Sequence, residues 1–423
     1  MNIFSNFLLN TNNIKKDTFI WNSISAFLNS FQTMLLLLTL THIGTSNDSS
    51  IFVMAYSIGN LLYNFSKFGV RQFQVTDLKE KYQYSDYFNA RIISTLLMII
   101  SVVIYNGYNF FYVGYSIKKV IVVTLICIYK GIEAFEDVFH GRMQQKGRLD
   151  VAGKIWSIRL FTFIFTYTIF YIFSKNIVFT TFICVLITGI QCILLNLSVL
   201  PYFIEKPVIL LHFINNNKWR NILIECFPLF LSALLNMYLG NAPKYIIDEK
   251  VSDAVQTEFN IVFMPVFVVA LLSNFVFQPS LMKIGILWQS KKIIELKKLI
   301  RKLVIVPIVA DLVCTLAAGI AGIPILSTVY GIDLTDYKLI LIIFMIAGGA
   351  IAIMNLFIMI LTTMRKQKQL LFGYSVSSAI IYLFGSHFLI NYGLLGLSIS
   401  FILILILIDL FFWIIYNYYL SNH

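Results

Sequence analysis

The chain is a succession of charge-poor apolar runs, most of them about as long as the hydrocarbon core of a bilayer is thick. A spanning helix needs about 20 apolar residues. Runs of that kind cover 18–43, 49–69, 88–111, 117–139, 153–174, 177–200, 222–244, 257–282, 302–323, 337–363, 369–389 and 393–418. Hydrocarbon offers the backbone no hydrogen-bond partners, so a spanning segment must be a helix or part of a closed barrel. Barrel strands alternate over about ten residues. These runs are continuous, so the chain is expected to be an all-α polytopic membrane protein with about 12 transmembrane helices. Only 12% of its 423 residues are charged, against roughly a quarter in soluble domains. That excludes an ordinary soluble enzyme, and the high apolar content excludes disorder. The runs use nearly the whole chain, leaving little for a soluble domain. The fourth and seventh runs are the weakest, because ionisable residues interrupt them.

Basic residues set the orientation of such helices. With the N-terminus inside, twenty-five of the 32 Lys and Arg residues fall on the inner side, and six fall outside. The net charge of +12 is therefore ascribed to membrane orientation, and no nucleic-acid partner is expected. Both termini are expected to be cytoplasmic. The longest inner connection, 201–221, divides the chain into a six-helix lobe over 1–200 and another over 222–423. Each half has a long basic inner connection after its second helix, at 70–87 and 283–301, which suggests two parallel repeats. The segment Trp288–Lys302 mixes Ile and Leu with lysines. It fits either a surface helix or an inner extension of the ninth span. The N-terminal residues lack the basic region and short apolar core of a cleaved signal, so the first run is expected to stay as a helix. Cys127, Cys184, Cys192, Cys226 and Cys314 lie in apolar runs with no CxxC pair. They are expected to be core residues, not metal ligands or disulfides.

Charges at membrane depth cost about 2.5–3.5 kcal/mol each on insertion scales, so those within the runs must face protein or water. In the fourth run Lys130, Glu133 and Asp137 fall at i, i+3 and i+7, with His140 a turn further and Glu136 beside the stripe. This face is expected either to border an aqueous cavity that meets substrate or a coupling ion, or to hold a buried Lys–Glu pair that locks helices together. Arg71 and Arg91 flank the first inner connection, and Arg159 enters the fifth run. Arginine suits a phosphate; taken singly, each also fits an anchor that snorkels to headgroups. Glu225, Asp311 and Asp409 are isolated acids able to exchange a proton or accept a cation, although Glu225 and Asp311 also fit helix ends in water. His387, at an outer helix end, is expected to be structural. Pro228, Pro243, Pro265, Pro279 and Pro307 cluster in spans seven to nine and are expected to bend them or to be tolerated by packing.

Several segments resemble one family. FGVRQFQVTD at 68–77, with its Gly-x-Arg, resembles the first inner loop of the polysaccharide flippases of the MOP exporter superfamily. The stretch from Glu133 to Lys154 is similar to that family's fourth-helix end and following loop. NAPKYIID at 241–248 and FMPVFVVALLSNFVFQP at 263–279 resemble the seventh and eighth helices of its capsular branch. The resemblance implies two six-helix lobes around a central cationic cavity. It implies a function too: moving an undecaprenyl-diphosphate-linked oligosaccharide from the inner to the outer leaflet of the bacterial plasma membrane by alternating access. It places Arg71, Lys130, Arg159 and Lys244 as substrate contacts. The coupling-ion candidates are Glu133, Asp137, Asp311 and Asp409. No catalytic residue, cofactor or metal is expected, and membrane lipids and a polysaccharide polymerase are candidate partners. A drug or small-molecule exporter of the same superfamily is the alternative. A membrane polymerase is disfavoured because no outer connection is long enough for a catalytic loop.

Overall fold

The computed structural model describes residues 3–77, 81–204, 218–248, 250–364 and 366–421, which are almost entirely helical and contain no strand. The expected inner connection at 201–221 therefore lies largely outside the described residues. The helices are α1 (Ile3–Leu9), α2 (Ile14–Ile43), α3 (Ser46–Lys67), α4 (Val70–Thr76), α5 (Tyr84–Tyr108), α6 (Ile117–Gln145), α7 (Leu149–Ser174) and α8 (Ile177–Val199). They continue as α9 (Lys218–Ile247), α10 (Asp253–Phe263), α11 (Val266–Gln289), α12 (Ile293–Ala317), α13 (Ile323–Tyr330), α14 (Lys338–Thr363) and α15 (Gln367–Ser421). The helices start where polar residues interrupt the apolar runs. Asn13, Thr45, Ser116 and Asn176 each accept a backbone N–H of the helix that follows, satisfying donors that would otherwise be orphaned.

Among the described residues, nine helices are long and apolar enough to cross a membrane. Their exposed faces carry residues such as Ile99, Val103, Ile104, Phe111 and Ile320, which suit lipid and not water. The chain is a multi-pass membrane protein. Two other helices, α3 and α6, have the length to cross, about 33 and 44 Å at 1.5 Å per residue, but carry too many polar groups to stand in lipid. Both are heavily buried and pack against each other. The final span is twice the usual length. It holds two helices that meet at Gly393, whose φ of 64° and ψ of −162° are non-helical; this agrees with the separate runs expected at 369–389 and 393–418.

The chain forms two compact units, Met1–Phe230 and Leu231–His423. In the first, α2 packs on α7, and α6 lies against α3, α5 and α8. The beginning of α9 belongs to this unit. Phe230 stacks on Phe68 at 4.3 Å, and Leu229 backs onto Gly69, whose φ of +73° excludes most side chains. Lys154 donates to the carbonyls of Phe7, Leu8 and Asn10, which caps the C-terminal end of α1. In the second unit α14 is central, against α11, α12 and α15, around a ring cluster of Phe259, Phe263, Phe344 and Phe401. The basic segment after α11 is resolved in favour of the extension: α12 runs unbroken from Ile293 into the ninth span. Of the five prolines, Pro265 stands at a break, between α10 and α11, while α9 passes through Pro228 and Pro243 without interruption.

Close helix approach needs small residues. A Cβ at Gly348 on α14 would lie 2.4 Å from the carbonyl oxygen of Val266 on α11, whereas one at Gly107 would meet nothing within 4 Å. Gly348→Leu is expected to destabilise the protein by at least the 1–3 kcal/mol (about) of an overpacked core. Gly107→Ala should be neutral or stabilising by roughly 0.5–1 kcal/mol. Thermal unfolding of the detergent-purified variants checks both; equal melting temperatures would refute the packing argument.

Candidate functional site

The polar stripe of α6 lies at the centre of the first unit. Lys130, Glu133, Glu136, Asp137 and His140 are all buried, because α3, α5 and α8 cover the faces that carry them. Lys130 Nζ is 3.1 Å from Glu133 Oε2. Its ammonium also lies over the rings of Tyr56, Tyr63 and Tyr129 at 4.6, 5.6 and 5.4 Å. A cation within about 6 Å of an aromatic face is attracted by the ring quadrupole. Three tyrosines therefore supply much of the solvation that Lys130 loses.

Arg159, from α7, enters between the two glutamates. Its Nε donates to Glu136 Oε2 at 2.8 Å, its Nη2 is 3.7 Å from Glu133 Oε1, and its Nη1 donates to the Tyr129 hydroxyl at 3.4 Å. All three guanidinium nitrogens are engaged, and the side chain is 1% exposed. Glu136 also accepts from Asn196 Nδ2 at 2.9 Å, and Tyr63 donates to Glu133 Oε1 at 3.3 Å. The chain of bonds continues away from the charges: Gln32 Nε2 donates to the Tyr129 hydroxyl at 2.8 Å, and Tyr56 donates to Gln32 Oε1. Helices α2, α3, α6, α7 and α8 are thus joined by a single polar network.

The inner end of the stripe is differently placed. Arg71, on α4, donates to Asp137 Oδ1 at 2.7 Å and to Gln144 Oε1 at 3.1 Å. Its side chain is 25% exposed, so this guanidinium remains accessible. Arg91, on α5, is fully buried and donates Nη1 to the Ser66 carbonyl. Its Nε and Nη2 have no hydrogen-bond partner among the described residues, and neither does Asp137 Oδ2. Arg91 interacts electrostatically with both Asp137 and Arg71. Among the described residues five cations, Lys67, Arg71, Arg91, Lys130 and Arg159, meet three carboxylates, Glu133, Glu136 and Asp137. The surplus there is positive, and two Arg91 nitrogens are without a hydrogen-bond partner.

The structure brings Lys130, Glu133 and Arg159 into one network and Arg71 onto Asp137. It places Lys244, Asp311 and Asp409 in the second unit. Lys244, near the end of α9, is buried; its ammonium lies 5.1 Å from the Phe263 ring centre, with no carboxylate within 4 Å among the described residues. Asp311 on α12 and Asp409 on α15 line one cavity. Glu225 is not isolated: Tyr82 donates to it at 3.1 Å and Lys81 lies 3.5 Å away. Sequence reasoning gave Arg91 no more than a place beside the loop, and missed Gln32, Tyr56, Tyr63, Tyr129 and Asn196. A usable signal exists in the tyrosines and Asn60 and Asn64 of α3, a run too polar for lipid that must face a polar neighbour.

The architecture and its buried charges define a multi-pass membrane protein with the fold of MOP-superfamily transporters. No protein-family model matches the chain. A multidrug-resistance MATE family transporter of that superfamily, solved in its inward-facing conformation, superposes with a TM-score of 0.70 at 12% identity, over 93% of this chain and 95% of its own. The lipid II flippase MurJ, in an inward closed conformation, superposes with a TM-score of 0.65 at 16% identity, over 94% of this chain and 87% of its own. In sequence, the chain is 24% identical to the capsular polysaccharide biosynthesis protein CapF of Staphylococcus aureus over 387 residues, covering 89% of this chain and 93% of that protein. The structural neighbours are transporters and a flippase, as the sequence resemblance implied.

Removing one member of a buried ion pair leaves an uncompensated charge, at about 3–5 kcal/mol. Arg159→Met is expected to destabilise by that order, since Glu136 loses its guanidinium partner and Glu133 keeps only Lys130. Adding Glu136→Gln should recover part of the loss, because coupled residues are non-additive. A double-mutant cycle on detergent-purified protein measures this; strictly additive losses would show that the pair does not interact.

Proposed function

We propose that the chain is a flippase of the bacterial plasma membrane that carries an undecaprenyl-diphosphate-linked oligosaccharide from the inner to the outer leaflet. The observation that carries this reading is the positive surplus on α6 and its neighbours, with Arg91 donors that have no partner among the described residues and with the partly exposed Arg71. A diphosphate is the anion such a group accommodates, because guanidinium donors bind phosphate oxygens in pairs. The fold shared with a lipid II flippase and the likeness to a capsular polysaccharide biosynthesis protein support the same substrate class. Arg71, Lys130, Arg159 and Lys244 are proposed as contacts for the lipid diphosphate. In the first unit Arg71 carries the direct contact, since it is paired with Asp137 but partly exposed while Lys130 and Arg159 are buried within the network; in the second unit Lys244 carries it, with no carboxylate within 4 Å among the described residues. Glu133 and Asp137 are proposed to balance that charge as cargo enters and leaves, and so to be sites of ion coupling. A lobe over 1–200 and a lobe over 222–423, joined by 201–221, alternate access by rocking while the polyprenyl chain stays in lipid. No covalent step is required of the protein. A polysaccharide polymerase is the expected consumer of the product. Drug export on the same fold is the second reading, favoured by the higher TM-score with the MATE transporter.

The proposed topology has twelve spans and both termini inside. Nine helices qualify on length and apolarity, α15 holds two of the spans, and α3 and α6 complete the set. In a background with the native cysteines replaced by serine, cysteines at the exposed positions Asn47, Lys175 and Lys250 should react with an impermeant thiol reagent on intact cells. Cysteines at Lys146, Lys292 and Lys366 should react only after permeabilisation. Surface labelling at 146 or 292 sinks the twelve-span arrangement.

Loss of the gene should leave lipid-linked repeat units accumulated on the cytoplasmic face, with no change in sensitivity to drugs. Arg71→Glu and Lys244→Glu should each lower glycan export about tenfold or more, given the roughly 1.5–3 kcal/mol of a charged hydrogen bond, with protein levels and monodispersity preserved. Wild-type export by both variants would remove these residues from the path. Drug sensitivity without lipid-linked accumulation would favour the second reading.

A further inference from the structure

The second unit contains a cavity of about 760 Å³ between α12, α14 and α15. One face of α12 lines it from Lys297 to Asp311, a length of about 21 Å at 1.5 Å per residue. The end nearest the basic inner segment carries Lys297, Arg301 and Asn417. The middle is hydrocarbon, including Ile305, Ile308 and Ile353. Asp311 and Asp409 lie at the far end. Asp311 is ten residues beyond Arg301 on α12, and Asp409 is eight residues before Asn417 on α15, so both sit about 12–15 Å from the basic end. Two helices running in opposite directions therefore bring one acid each to about the same depth.

The site is built around these carboxyls. Gly349 on α14 makes room for the first: a Cβ there would lie 2.5 Å from Asp311 Cγ. Thr315 donates to Asp311 Oδ1 at 3.4 Å. Asp409 is 8% exposed and its Oδ1 has no hydrogen-bond partner among the described residues. The fully buried Tyr374, from the first helix of α15, also has an unpartnered hydroxyl, and it interacts electrostatically with Asp409. The other ionisable groups of the lining are Lys297, Arg301 and Tyr416, towards the basic end, and α14 contributes none to it.

We propose that Asp311 and Asp409 form a proton-binding site at the end of this cavity remote from Lys297 and Arg301, loaded from the inner side past these two residues. It rests on the transport reading in its consequence, proton-coupled export, but not in its chemistry. A charge in a hydrocarbon wall must be neutralised or paired, and among the described residues neither aspartate has a cation beside it at that depth. Near the acids the lining is otherwise Ile308, Ile346, Gly349, Ile406 and Leu410, with the Thr315 hydroxyl on Asp311 and the Tyr374 hydroxyl towards Asp409. A carboxyl in such a wall is neutralised by one proton, whereas a hard metal cation needs six or more oxygens converging on one point.

Dicyclohexylcarbodiimide tests the site without requiring transport. It reacts with a protonated carboxyl in an apolar setting: the carboxyl oxygen bonds to the central carbon and the acid proton passes to nitrogen. Mass spectrometry of the purified full-length protein should find the adduct on Asp311 or Asp409. Labelling should decline as pH rises and be indifferent to sodium at fixed pH. It should vanish in Asp311→Asn/Asp409→Asn. No adduct on either residue at any pH, or protection by sodium, overturns the proposal. In proteoliposomes carrying a fluorescent lipid-linked oligosaccharide, a pH gradient should raise wild-type flipping severalfold, and in Asp409→Asn the ratio of flux with and without the gradient should fall to one. Flipping indifferent to the gradient removes proton coupling and leaves the flippase reading intact. Proton-dependent labelling without flipping keeps the proton site and removes the flippase reading.

Discussion

The insertion of Arg159 between Glu133 and Glu136 is the interaction on which the first unit depends. Carboxylates cannot remain uncompensated in a hydrocarbon-bounded interior, and Arg159 is the cation whose three nitrogens reach both of them and Tyr129. Because the partners sit on α6, α7 and α8, satisfying the charges also sets how those helices pack. The tyrosines around Lys130 extend the constraint to α3. A buried ion pair adds little net stability compared with a well-packed apolar core, and removing one partner is costly. Such a network therefore specifies an arrangement more than it strengthens it.

The two units manage polarity in opposite ways. The first concentrates cations and carboxylates on neighbouring helices and pairs most of them. The second is mainly apolar and aromatic, built on α14 and the Phe259–Phe263–Phe344–Phe401 cluster. Its few charges at depth stand apart: Lys244 against a phenylalanine ring, and Asp311 and Asp409 on a cavity wall. In a membrane protein, ionisable groups at depth, paired or not, mark where ligands, ions and protons pass.

Much of the architecture was legible because hydrocarbon imposes a length on every spanning helix. The expected run at 177–200 corresponds to α8 (Ile177–Val199), and that at 337–363 to α14 (Lys338–Thr363). Spacing also exposed the α6 stripe, since i, i+3 and i+7 share a face whatever surrounds it. The partners of that stripe were less legible. Tyr129 looks like any aromatic in an apolar run, and Gln32 and Asn196 are single polar residues on helices distant in sequence. Periodicity could not decide whether Trp288–Lys302 lies on the surface or continues the ninth span, because both give an amphipathic helix with lysines on one side. The continuous hydrogen-bonded path of α12 decides it.

The sequence by itself determined that this chain is helical and crosses a membrane repeatedly. Those conclusions follow from composition, run length and the requirement that every buried backbone group find a partner. It also determined that α6 cannot face lipid, since its charges recur on one helical face. Only the tertiary structure decided which charges neutralise one another, that Arg91 keeps unpartnered donors, and that Asp311 and Asp409 reach the same depth of one cavity. The physical reason is that pairing is set by distances between helices separated by tens to a hundred residues. No periodicity along one helix records how far away another helix lies.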